Sequence, residues 1–135
     1  MSVGFGAFMK KALEDDNYVF YEYGSYNLND VKYRNENRKM DGLIMVKKTC
    51  FVEPEIHRKR KRMPNKKEKL IEKRIPVFVD YGSMLNKGDI KIENCCNTWK
   101  VNPSGIDVMA LRLLFKLFLQ YQEESSVPEA ISYNV

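Results

Sequence analysis

Histidine and cysteine, the side chains that most readily pair as base and thiolate nucleophile, are few here. The chain holds one histidine, His57, and three cysteines, Cys50, Cys95 and Cys96. A cysteine–histidine pair would supply a thiolate and its general base. No nucleophile motif surrounds any of the three thiols, however, and His57 opens directly onto five consecutive cations. The sequence therefore reads as a surface histidine and ordinary packing thiols. Cys95-Cys96 lacks the two-residue spacer with which two thiolates chelate one tetrahedral zinc, and no second pair exists. Adjacent residues of an extended chain point to opposite sides, which predicts one of these cysteines in the core and the other exposed. Gly4-x-Gly6 has no third glycine and no preceding strand, so it is not a dinucleotide fingerprint. No catalytic, metal-ligating or cofactor-binding residue is nominated. Paired carboxylates carry no reliable sequence signature, so none is assigned a role.

The chemistry that remains is electrostatic. Between His57 and Arg74 the chain carries ten Lys and Arg against two Glu, while the other 117 residues carry thirteen basic against sixteen acidic groups. A mildly acidic domain thus bears one strongly basic insert, residues 57–69, which mutual repulsion must keep exposed. Its cations Arg58, Lys59, Arg60, Lys61, Arg62, Lys66 and Lys67 form the candidate anion- or partner-binding patch. Such a density of cations suits phosphates and the release of their counterions, and equally an acidic protein surface. A solvated loop with no specific ligand is the third reading. The insert has no aromatic residue on which a base could stack.

The elements that must hold this patch follow from pattern and turn chemistry. Phe5, Phe8, Met9 and Ala12 fall at helical spacing and predict a short amphipathic helix over 5–14. Tyr18 to Tyr23 is aromatic and β-branched, a strand, with turn chemistry from Gly24. Leu43 to Val46 is a buried strand after the Asp41-Gly42 turn. Pro54 and the acidic Glu53 and Glu55, followed by cations, predict a helix over 53–62, then a turn at Pro64-Asn65 and a strand from about Leu70. Ile75, Val77, Val79 and Tyr81 alternate as in an edge strand interrupted by Pro76. Ile90 to Glu93 alternates as a half-buried strand, and Trp99 to Val101 suits one further short strand. The strongest element is a helix over about 105–124, capped by Ser104 or Asn102, with Arg112, Lys116, Gln120 and Glu123 on a narrow polar stripe. Residues 130–135 form a terminal strand or tail.

These elements predict one α+β domain over 1–135: a mostly antiparallel sheet of about four to six strands, the long C-terminal helix packed across it, and one or two short helices. The apolar start carries its cations, Lys10 and Lys11, after the apolar stretch, the wrong order for an export signal. The apolar stretch 106–121 is shorter than a membrane span needs and is interrupted by Asp107, Arg112 and Lys116. An odd cysteine count then places the protein in the cytoplasm with reduced thiols. The function expected first is a non-catalytic protein-interaction module, of inhibitor or immunity type. A helix apolar around most of its circumference suits a homodimer or a partner groove, with Leu113 and Leu117 as the candidate interface. The alternative is a nucleic-acid-binding accessory protein using residues 58–74, and a small enzyme is the third. No cofactor and no membrane partner is expected.

Overall fold

The computed structural model describes residues 4–134. Seven strands and two α-helices follow one another as β1 (Phe5–Glu14), β2 (Tyr18–Asn27), β3 (Gly42–Lys47), β4 (Glu55–Arg62), β5 (Glu68–Ile75), α1 (Tyr81–Lys87), β6 (Ile90–Glu93), α2 (Val108–Glu124) and β7 (Ala130–Asn134). Five strands form one antiparallel sheet in the order β6-β3-β2-β1-β7, and β4 and β5 pair only with each other. The fold is α+β as the sequence predicts, with α2 laid across one face of the sheet. That face supplies Ala7 and Met9 of β1, Val19, Tyr21 and Tyr23 of β2, Ile44 and Val46 of β3, and Ile90 and Ile131. Against them α2 buries Met109, Ala110, Leu113, Leu114, Leu117 and Phe118, and one contiguous core results.

The predicted helix over 5–14 is instead the strand β1. Its apolar run is buried on both sides: Ala7 and Met9 lie under α2, while Phe8 on the opposite face is covered by the 34–39 segment. There the Arg38 guanidinium sits 4.2 Å from the centre of the Phe8 ring. A strand covered on both faces loses its two-residue alternation and imitates a short helix. The same covering explains Gly24, which continues β2 where a turn was expected. A Cβ there would meet the Lys39 carbonyl oxygen at 1.9 Å.

The predicted helix over 53–62 is also a strand, β4, closed onto β5 through the turn at Pro64-Asn65. Asn65 Oδ1 accepts from the Lys67 amide at 3.1 Å, and Lys66 takes a positive φ of 66°. A helix would have stacked cations at i and i+4, where like charges repel. A ribbon sends alternate cations to opposite faces instead.

Pairing ends at Ile75 because Pro76 has no amide hydrogen for the ladder. The predicted strand over 75–81 is consequently an irregular segment leading into α1, which Asp80 caps by accepting from the Ser83 amide at 3.1 Å. Trp99 to Val101 contributes a single bridge, Val101 to Asp107, rather than a strand.

The helix α2 starts on Asp107, not on Ser104 or Asn102. Asn102 caps the turn ahead of it, its Oδ1 accepting from the Ser104 and Ile106 amides, each at 2.9 Å. The terminal segment is a strand, β7, antiparallel to β1.

Candidate nucleic-acid interface

Strands β4 and β5 stand outside the five-stranded sheet as a two-stranded ribbon. Every residue of β4 and all of β5 except Ile75 are exposed. All seven cations of the predicted patch lie on this ribbon or its turn, so the structure brings them together. Register divides them. Pairing sets Arg58 opposite Glu72, Lys59 opposite Ile71, Arg60 opposite Leu70, Lys61 opposite Lys69 and Arg62 opposite Glu68. Because side chains alternate, one face carries Arg58, Arg60, Arg62 and Arg74 with both glutamates. The other carries Lys59, Lys61, Lys69 and Lys73. Lys66 and Lys67 lie in the turn.

The ribbon is anchored at its foot. Arg74 Nη1 donates to the carbonyl oxygens of Gln122 and Glu123 at 3.3 and 2.9 Å, and to Ser125 Oγ at 2.7 Å. These groups form the carboxyl end of α2, whose orphan carbonyls and negative dipole end favour a cation. Next along the chain, Val77 completes its main-chain bonding with the buried Gln122 amide, donating to Oε1 at 2.6 Å and accepting from Nε2 at 2.8 Å. On the other strand's approach, Glu53 accepts from the Tyr121 hydroxyl at 2.6 Å. The anchor was not anticipated from sequence, since no local pattern joins residue 74 to residues 122–125.

Beside this foot lies an apolar groove of about 420 Å³, lined by Pro76, Val77, Phe78, Val79, Phe115 and Leu119 among others. Phe78 is 84% exposed and Phe115 56%. Leu113 and Leu117, the residues proposed as an intermolecular contact, are 0% exposed and pack inside the chain's own core. The apolar surface that α2 turns outward is centred on Phe115.

The sequence-level candidates for other chemistry are also placed. His57 sits on the ribbon with its Nε2 3.1 Å from Glu55. Cys50 and Cys95 are buried and Cys96 is exposed, so the adjacent pair divides as expected. It does so in a turn, not on a strand. Burial raises the Cys50 thiol, and a hydrogen bond with Asp41 raises that of Cys96. A raised thiol pKa leaves less of the thiolate at neutral pH. Tyr21 and Tyr23 face α2, while Tyr18 and Phe20 lie half-buried on the opposite side of the sheet.

The most connected polar group in the core is Asp107. Its Oδ1 accepts from the Met109 amide at 2.9 Å, and its Oδ2 accepts from the Tyr23 and Thr98 hydroxyls, each at 3.1 Å. The Cys95 thiol points at the same oxygen from 3.8 Å. Burial lifts the Asp107 carboxyl above the usual carboxylate range, against the pull of these donors. The partners come from three segments, which makes the cluster a clamp between β2, the 95–98 turn and α2. Among the described residues no group of three or more His, Cys, Asp or Glu is placed to hold a metal ion, and no helix is long and apolar enough to cross a membrane. No protein-family model, no curated protein and no solved structure matches the chain.

Proposed function

We propose that this chain is a nucleic-acid-binding accessory protein whose ribbon β4–β5 engages the phosphate backbone. The observation that carries this reading is the ribbon itself: the basic insert is a paired, anchored arm with its cations exposed and no apolar core beneath it. Order matters here, because a cation already held in place loses less conformational freedom on binding than one on a loose loop. Strands of eight residues extend about 26 Å. A two-stranded ribbon is also one of the shapes that the roughly 12 Å major groove of B-form DNA admits. With no aromatic platform, a duplex suits the arm better than a single strand. The test is an NMR titration with a labelled-free 20-base-pair duplex at low salt. Amides of residues 56–74 should shift while those in the centre of α2 stay fixed. Shifts confined to α2, or none, would contradict the reading.

A protein-interaction module is the second reading, and the groove at Phe78 and Phe115 favours it. An exposed aromatic beside an apolar cleft is what an interface anchor requires. Most of the apolar circumference of α2 is used within the chain, however, which leaves a smaller patch than the helix pattern suggests. Sedimentation over a range of concentrations tests its simplest form, self-association. A dimer that Phe78→Ser dissociates would support it, and a monomer throughout would remove it.

A further inference from the structure

We propose that the phosphates meet the lysine face of the ribbon and not the arginine face, an assignment that rests on the nucleic-acid reading above. The composition of the insert treats its cations as equivalent, but register does not. On the arginine face, Arg58 Nε lies 3.5 Å from Glu72 and Arg60 Nη1 lies 3.8 Å from Glu68. Arg74 is held by the carboxyl end of α2. Of four arginines, Arg62 alone has neither an ion pair nor a main-chain acceptor among the described residues. The face carries four arginines against two glutamates, three of those arginines already engaged, and its foot is turned toward the body of the protein by the Arg74 contact.

The lysine face is built differently. Among the described residues no carboxylate lies within ion-pairing distance of Lys59, Lys61, Lys69 or Lys73. The one acid on that face, Glu55, is at the foot and contacts His57. Lys61 and Lys69 stand directly opposite each other, Lys59 is one same-face step away and Lys73 lies beyond it on the other strand. Same-face neighbours along a strand, here Lys59 and Lys61, are about 6.8 Å apart, close to two axial steps of a duplex strand. Lys69 and Lys73 stand two same-face steps apart with Ile71 between them. Uncompensated ammonium groups at that repeat draw in counterions when free and can exchange them for phosphates. Glutamates beside Arg58 and Arg60 offset part of that charge on the other face. The register also bars an equal role for both faces, because alternate side chains point away from each other.

The experiment compares two charge-matched triple variants, each losing three cations from exposed positions. One carries Lys59→Gln, Lys61→Gln and Lys69→Gln, the other Arg58→Gln, Arg60→Gln and Arg62→Gln. Binding to a fluorescent 20-base-pair duplex is measured between 50 and 200 mM salt, with an amide NMR spectrum of each variant to verify that the five-stranded sheet is intact. Each phosphate contact contributes about −0.9 to the logarithmic salt slope. The lysine variant should therefore flatten the slope by about 2.7, so that the affinity lost over this salt range shrinks by about forty-fold. The arginine variant should shrink that loss by no more than about four-fold, the share of Arg62. Equal losses, or a larger loss in the arginine variant, overturn the face assignment while leaving phosphate binding by the ribbon in place. A wild-type chain that shows no salt-dependent binding overturns both. A polyglutamate chain of matched charge that displaces the duplex equally well would assign the lysine face to an acidic protein and overturn the proposal as well.

Discussion

Arg74 Nη1 lies 2.9 Å from the main-chain carbonyl oxygen of Glu123, which ties the last strand of the ribbon to the carboxyl end of α2. The foot of the arm is thereby fixed to the end of the longest helix. Replacing Arg74 with Ala leaves the Gln122 and Glu123 carbonyls to water and frees the ribbon's foot. Arg74 is exposed, so a stability loss of about 1 kcal/mol is expected. Hydrogen exchange should show faster exchange in residues 70–75 and in the last turn of α2, with the central sheet unchanged. Unaltered exchange at the foot would mean that the contact does not hold the arm.

Asp107 joins β2, the 95–98 turn and the start of α2 through one carboxylate. Asp107→Ala strands the Tyr23 hydroxyl and the Met109 amide in the core, while Thr98 keeps its bond to the Cys95 carbonyl oxygen, a loss of about 2–4 kcal/mol in denaturant unfolding. A loss below about 1 kcal/mol would show that water or rearrangement satisfies them.

The same residue gives a pH signature. Its folded pKa is raised by burial, so the folded chain holds this proton more tightly than the unfolded chain does. Its contribution to stability is greatest in acid and is lost as pH rises from about 4 through the raised folded value. The stability of the wild type minus that of Asp107→Asn should therefore fall with pH over that window, because the asparagine does not titrate. Other carboxylates act oppositely: main-chain amides of Asn17 and Tyr18 lower Asp15, and its contribution is lost in acid. The difference between the two proteins cancels such common terms. A flat difference would contradict the burial account.

Leu117 contacts the underside of the sheet and is fully buried. Leu117→Ala should cost about 2–5 kcal/mol without altering the oligomeric state. A change of oligomeric state at constant stability would restore Leu117 as an intermolecular contact.

Much of the sheet was legible because its strands alternate or are bounded by turn residues, as at Tyr18–Tyr23 and Ile90–Glu93. The long helix was legible because seventeen residues at helical period leave few alternatives. Two misreadings share a cause. Around Phe8 an apolar run covered on both faces hid the period of two. Across 55–62 an unbroken charged run exposed on both faces did the same. In neither place does hydrophobic pattern mark an inside. The basic patch was visible as composition, but its division into lysine and arginine faces exists only in the β4–β5 register. The symmetry of eight residues on either side of the Pro64-Asn65 turn was the signal that points to a hairpin. The Asp107 clamp joins residues up to 84 apart in sequence, beyond the reach of local patterns.

The most direct test of phosphate binding by the ribbon is the salt dependence of wild-type affinity for a fluorescent 20-base-pair duplex, followed by anisotropy. Contacts from the four face lysines and one or two turn lysines predict a logarithmic slope of about −4.5 to −5.5. A slope near zero, or no binding at the lowest salt, would contradict the account and direct attention to the Phe78 groove.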